Sequence, residues 1–142
     1  GAGRRRHEDR WVGVMSALID LETTFLGLSG DGEVTQMKVG PDFWPTLDNN
    51  PLMRPTLVSF GRGEGDWPHW EMHPKGDEVL ILLEGSLTLI IDQDGQESRL
   101  AMTSGQTFVM PKGAWHRAVE PRGVRMIFMT YGEGTQHRPV VA

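Results

Sequence analysis

Cysteine is absent from this 142-residue chain, which excludes a disulfide framework and thiolate metal ligation and accords with a reducing compartment, the cytoplasm. Positive charge is in deficit. Fourteen Lys and Arg against 19 Asp and Glu leave a net charge of −5, and the one basic cluster, Arg4 to Arg6, does not make a nucleic-acid surface. No apolar run approaches the roughly 20 residues that span a bilayer, so no membrane partner is expected. Tyrosine occurs once, as Tyr131, and reads as a core-edge residue. No G-x-S-x-G elbow and no phosphate-cradling glycine loop is present, which removes serine-nucleophile and P-loop chemistry.

Glycine and proline are plentiful, 18 and 9, and glycine runs at nearly twice its average usage, favouring many turns and an all-β chain. The length suits one domain with a core that needs no staples. Arg4 to Arg6 and the apolar-leaning Trp11 to Ile19 imitate a signal peptide. Glu8 and Asp9 interrupt the basic region, however, and Asp20 and Glu22 follow directly. Residues 1–14 therefore read as a flexible arm or an expression remnant, Met15 as a natural start, and residues 15–142 as a single domain.

Ser16 to Phe25 carries Leu18, Leu21 and Phe25 at helical spacing, while its threonines and the glycines beyond fit an extended strand equally. Val34 to Val39 alternates as an edge strand. Pro41 to Pro55 holds four prolines and reads as a loop, with Phe43 and Trp44 capping a core, filling a dimer contact or reaching a ligand. Strands are expected over Thr56–Gly61, Glu78–Leu83, Ser86–Asp92, Glu97–Met102, Thr107–Met110, Trp115–Val119 and Val124–Tyr131. Hairpin turns are expected at Glu84-Gly85 and at Asp94-Gly95. Short strands punctuated by glycine indicate a sandwich or barrel.

The most crowded stretch is Gly65 to Gly85, GDWPHWEMHPKGDEVLILLEG, with His69, Glu71, His73 and Glu78 within ten residues. Gly65, Glu71, His73, Glu78 and Gly85 match the spacing G-x5-H-x-H-x4-E-x6-G, with Glu71 in place of the first histidine. Downstream, Gly105, Pro111, Gly113 and His116 match G-x5-P-x-G-x2-H-x3-N, with Glu120 in place of asparagine. These two interlocking spacings resemble the two motifs of the cupin superfamily. The resemblance implies a double-stranded β-helix, a small jelly-roll barrel with a pocket inside. It also implies a metal held at the positions of Glu71, His73, Glu78 and His116.

Strand geometry is consistent with that set. Glu71 and His73 share a face about 6.6 Å apart at their Cα atoms, close enough to converge on one ion. His69 shares their parity but stands about 13 Å from His73, so it reads either as a pocket-lining group beside Trp67 and the candidate for moving a proton, or as an exposed loop histidine after Pro68. Turn chemistry at Pro74-Lys75-Gly76-Asp77 would make the strand opened by Glu78 the antiparallel neighbour of the Glu71–His73 strand. His116 would close the set from across the barrel. Arg117 should point away from the interior. His137, in the tail GTQHRPV, reads as a surface histidine unless the tail folds back over the mouth.

Two carboxylates and two imidazoles neutralise a divalent ion, and they suit Fe, Mn, Zn or Ni. The expected function is metal-dependent chemistry on a small oxygenated organic molecule, of dioxygenase, isomerase or lyase type. The alternative is a non-catalytic barrel that binds a small molecule or a sugar. Val79, Ile81 and Leu83 make the Glu78 strand apolar on its outer face as well. A covering element is therefore required, either the N-terminal Ser16 to Val39 segment or a second subunit, and a homodimer is expected.

Overall fold

The structure, a computed structural model, describes residues 18–48 and 56–141. The expected arm over residues 1–14, the start at Met15 and the loop residues 49–55 lie outside them. Among the described residues no helix is long and apolar enough to cross a membrane.

Two strands organise the molecule, β5 (Glu78–Gln93) and β8 (Trp115–Thr130), each 16 residues long and paired antiparallel from Glu78 opposite Thr130 to Asp92 opposite Trp115. Both bend midway and so belong to two sheets. The first half of β5 lies between β7 (Thr107–Met110) and the second half of β8. That half of β8 then carries β3 (Thr56–Gly63), β1 (Thr24–Leu28) and the edge strand β2 (Val34–Lys38). The second half of β5 pairs with β6 (Gln96–Thr103) and the first half of β8, beyond which come β4 (His69–Met72) and β9 (Gln136–Pro139). This is an all-β jelly roll.

The bend in β5 also decides which side chains enter the core. Register shifts between Leu82 and Thr88 insert residues that the partner strand does not match. Even positions, Leu80 and Leu82, point inward before the bulge, and odd positions, Leu87, Leu89 and Ile91, point inward after it. Met102, Met110, Ala118, Val124 and Met126 from the flanking strands complete the same core.

The bulge corrects one expectation. Glu84-Gly85 is not a hairpin turn, because β5 runs straight through it. Gly85 has a φ of +87°, and a Cβ there would collide with the carbonyl oxygens of Arg122 and Gly123, so the glycine serves close approach of β8 rather than chain reversal. Trp115–Val119 and Val124–Tyr131 are likewise one strand, bent through Glu120 and Gly123 at φ of 55° and 59°. The Asp94-Gly95 turn is a hairpin as expected, with φ of 54° and 82° and the Gly95 N–H donating to Asp92 Oδ1.

Nearer the N-terminus, the described part of the Ser16 to Phe25 stretch, residues 18–25, forms a strand from Thr24, preceded by a turn in which the amides of Thr23 and Thr24 donate to the Asp20 carbonyl. Inside the expected Pro41–Pro55 loop a short helix forms instead, α1 (Phe43–Asp48). It brings Phe43 and Trp44 onto Phe25, with ring centroids 5.2 and 6.0 Å away, so the two aromatics do cap a core residue.

Replacing Gly85 with Ala should destabilise the fold by about 2 kcal/mol or more, since it adds left-handed strain to a collision with two backbone carbonyls. Denaturant unfolding of both proteins measures it. A loss under about 0.5 kcal/mol would show that β8 can withdraw from the bulge.

Candidate metal centre

β4 is only four residues long, but it is paired on both edges. Glu71 stands opposite His116 on β8 and opposite His137 on β9. With its edges taken, β4 cannot also neighbour β5. The turn at residues 74–77 instead carries the chain to the other sheet, where Glu78 opens β5 between β7 and β8. His116, expected from across the barrel, is the cross-strand neighbour of Glu71. These are corrections of route rather than destination, because all four side chains still meet.

Two hydrogen bonds tie the two motif turns together. The Gly113 amide donates to the His73 carbonyl at 2.9 Å, and the Lys112 amide donates to Asp77 Oδ1 at 2.8 Å. Gly113 holds a φ of +81°, which a side chain would resist. The histidine that ends the first strand, the glutamate that begins the next and the histidine after the second turn are thereby fixed relative to one another. Glu120, where the motif has asparagine, sits at the left-handed φ of 55° that asparagine tolerates best, and its amide donates to Asp66 Oδ1.

Ligand-type atoms of Glu71, His73, Glu78 and His116 all lie within 4.8 Å of one another. His73 Nε2 is 3.3 Å from Glu78 Oε2 and 3.7 Å from Glu71 Oε2. His116 Nε2 is 3.2 Å from Glu78 Oε1 and 3.9 Å from Glu71 Oε2. His73, Glu78 and His116 are buried, at 4, 3 and 0 % exposure, while the Glu71 side chain remains 28 % exposed at the rim.

The far side of each imidazole sets its tautomer. His116 Nδ1 donates to the Ala114 carbonyl at 3.0 Å, and a carbonyl only accepts. His73 Nδ1 meets Thr135 Oγ1 at 2.8 Å, and that hydroxyl spends its hydrogen on the Gly132 carbonyl. Both rings are therefore Nδ1–H tautomers in their neutral form, with Nε2 lone pairs facing carboxylate oxygens. His73 Nε2, His116 Nε2 and Glu78 Oε1 are buried without a hydrogen-bond partner. Lone pairs opposed in this way are satisfied by a proton or by a metal ion placed between them.

The ionisation equilibria express the same demand. Burial works to raise the Glu78 carboxyl, but its contacts with His116 and His73 outweigh burial and hold it down to about 2. Burial likewise works to lower His116, and Glu78 beside it carries the imidazole above its ordinary value. Thr130 also donates to this carboxylate, through its hydroxyl to Glu78 Oε2.

The remaining candidates divide. His69 is exposed at the start of β4, opposite Pro139, and stands outside the four-residue cluster. Trp67 lies against His116, with ring centroids 6.2 Å apart, and against Phe128 at 6.0 Å. Arg117 points away from the cluster, its guanidinium over Trp70. Tyr131 donates to Glu133 Oε2. His137 is the residue that the sequence reading undervalued: its ring is 54 % exposed, as a surface histidine would be, yet Nε2 lies 3.2 Å from Glu71 Oε1. The tail offers no apolar alternation to announce a strand. It is docked by distant partners, since Arg138 pairs with Asp92 at 2.7 Å and stacks over Trp70 and Trp115.

Replacing Thr130 with Val keeps the shape but strips the buried Glu78 carboxylate of a donor. Stability should fall by about 1–3 kcal/mol, measured by chemical denaturation of the metal-free protein. An unchanged midpoint would show that Glu78 does not depend on that hydroxyl.

Comparison with known proteins agrees with this geometry. The model of the cupin domain matches residues 56–130, while no curated protein matches the chain. Among solved structures, a cupin-2 domain protein from Shewanella frigidimarina is 25 % identical. That match covers 53 % of this chain and 69 % of the other, with a TM-score of 0.44. A protein from Neisseria meningitidis is 24 % identical over 52 % of this chain and 71 % of its own, with a TM-score of 0.45. The hydroquinone 1,2-dioxygenase from Sphingomonas sp. TTNP3 is 17 % identical over 57 % and 67 %, with a TM-score of 0.44. The cupin-domain match takes in more than half of the chain and all four converging side chains, and the protein belongs to the cupin family.

Proposed function

We propose that the chain holds a divalent transition metal through Glu71, His73, Glu78 and His116 and acts with it on a small oxygenated organic molecule in the barrel pocket. The observation that carries this reading is the trio of buried, unpartnered atoms His73 Nε2, His116 Nε2 and Glu78 Oε1, with Glu71 Oε2 facing the imidazoles from the rim. Atoms sharing one ion at bond lengths near 2.1 Å stand at most about 4.2 Å apart; the four imidazole–carboxylate distances of 3.2 to 3.9 Å lie inside that limit, and the full set, within 4.8 Å, needs only a small inward shift to meet it. Two neutral imidazoles and two carboxylates balance a divalent charge, and this donor set suits Fe, Mn, Zn or Ni.

A bound ion of this kind supplies Lewis acidity, or redox chemistry with dioxygen where it is iron. The chain's own residues set what reaches it. Glu78, His73 and His116 are sealed, so a hydroxy acid, enol or keto acid approaches from the side of Glu71. Trp67 and Phe128 wall the interior beside His116 and exclude water there. Dioxygenase, isomerase and lyase reactions are all open to such a site, and recovery of every tested ligand unchanged would instead mark a binding barrel. The absence of cysteine agrees with a cytoplasmic setting.

Metal titration tests the ligand set. His73→Ala, His116→Ala and Glu71→Gln should each weaken binding by more than the ~10-fold that loss of an outer partner costs. Undiminished affinity in Glu71→Gln would reduce the set to His73, Glu78 and His116.

The outer face of the larger sheet supports a homodimer. The register aligns Met129, Val79 and Val109 in one row and Phe60, Ile127 and Ile81 in the next, on the face opposite Leu80 and Leu82. β1 and β2 extend this sheet at its edge instead of crossing it, and Leu83 and Val109 stay 43 and 54 % exposed. A second copy is the proposed cover. Light scattering should find a dimer that Val109→Asp converts to monomer, and a monomeric wild type would refute the assignment.

A further inference from the structure

We infer that the C-terminal strand completes this metal site, with Thr135 and His137 as positioning residues for His73 and Glu71; the inference rests on the metal reading above. Both residues lie beyond the segment matched to the cupin domain, residues 56–130.

Thr135 acts on His73 through its hydroxyl. That group has one hydrogen, which goes to the Gly132 carbonyl at 2.7 Å, so toward His73 Nδ1 at 2.8 Å it offers only a lone pair. Nδ1 must carry the proton, and Nε2 keeps its lone pair for the metal. His116 obtains the same orientation from Ala114, two residues away. His73 obtains it from a residue 62 positions later in the chain.

His137 acts on Glu71. An imidazole at that motif position is a stiff ring with two torsions, whereas a glutamate head swings on three. Glu71 is also the rim ligand, with 28 % of its side chain exposed. The β4–β9 ladder sets Glu71 directly opposite His137, so their side chains leave the same face side by side. Nε2–H of His137 donates to Glu71 Oε1 at 3.2 Å, which leaves Oε2 turned toward the two ligand imidazoles. The strand is held for this task from its other face, where Arg138 pairs with Asp92 and lies over Trp70 and Trp115. The exchange of histidine for glutamate at position 71 and the histidine at 137 thus form one device, a carboxylate ligand with its own holder.

Calorimetric titration with Zn(II) on the full chain tests this, using Thr135→Val, Thr135→Ser, His137→Ala, His137→Gln and His116→Ala beside the wild type. Thr135→Val and His137→Ala should each bind about 10-fold or more weaker. Thr135→Ser, which restores the acceptor, and His137→Gln, which restores an N–H donor, should recover most of that loss, as a merely structural role would not. If His116→Ala binds like wild type, the metal reading fails and the inference with it. If His116→Ala loses affinity while Thr135→Val and His137→Ala stay within about twofold of wild type, the site stands and the inference about the tail is overturned. Failure of the two rescuing variants to recover affinity would also overturn it.

Discussion

A carboxylate sealed in an apolar barrel is tolerable only where positive charge or proton donors meet it, and Glu78, 3 % exposed among leucines and methionines, sets that condition here. Much of the surrounding structure answers it. Two imidazoles stand against its oxygens, each turned by a backbone carbonyl or a hydroxyl on its far side, and Thr130 donates from the adjacent strand. The two motif turns are stitched together, so these groups cannot drift apart. Glu71 adds a second carboxylate at the rim and raises the demand for a cation.

The site was legible because its chemistry is local. Glu71, His73 and Glu78 fall within eight residues, and their spacing, with the Pro-Lys-Gly turn before His116, picked out all four converging side chains. What the sequence concealed was the path between them. Glu84-Gly85 carries the composition of a hairpin turn, and only the neighbouring carbonyls of Arg122 and Gly123 show that its glycine accommodates a crossing strand. Asp94-Gly95 has much the same composition and does reverse the chain. The difference lies in what packs against each pair, which local propensity does not contain.

The same limit explains the tail. Gln136–Pro139 is polar at nearly every position and gives no period-2 signal, so nothing within it predicts a strand. Its order comes from Arg138 on Asp92 and two tryptophans, and from the free edge of β4. A histidine in such a segment looks incidental until that edge is known. The short helix over Phe43–Asp48 escaped notice similarly, because the prolines in and around it suggested a loop while Phe25 supplied the reason for its aromatics to gather.

The position of β9 in the chain bears on how the protein is made. β4 can pair with β8 once residue 116 has left the ribosome, but its other edge waits for residues 136–139. The long β5–β8 ribbon and its core can therefore assemble first, and the strand that seals the second edge of β4 follows. Long-range pairing of this kind pays its loop-closure entropy late. Until it forms, β4 presents an open edge, and His73 and Glu71 lack their contacts with Thr135 and His137. Biogenesis thus has a natural order, the β5–β8 ribbon before the second edge of β4.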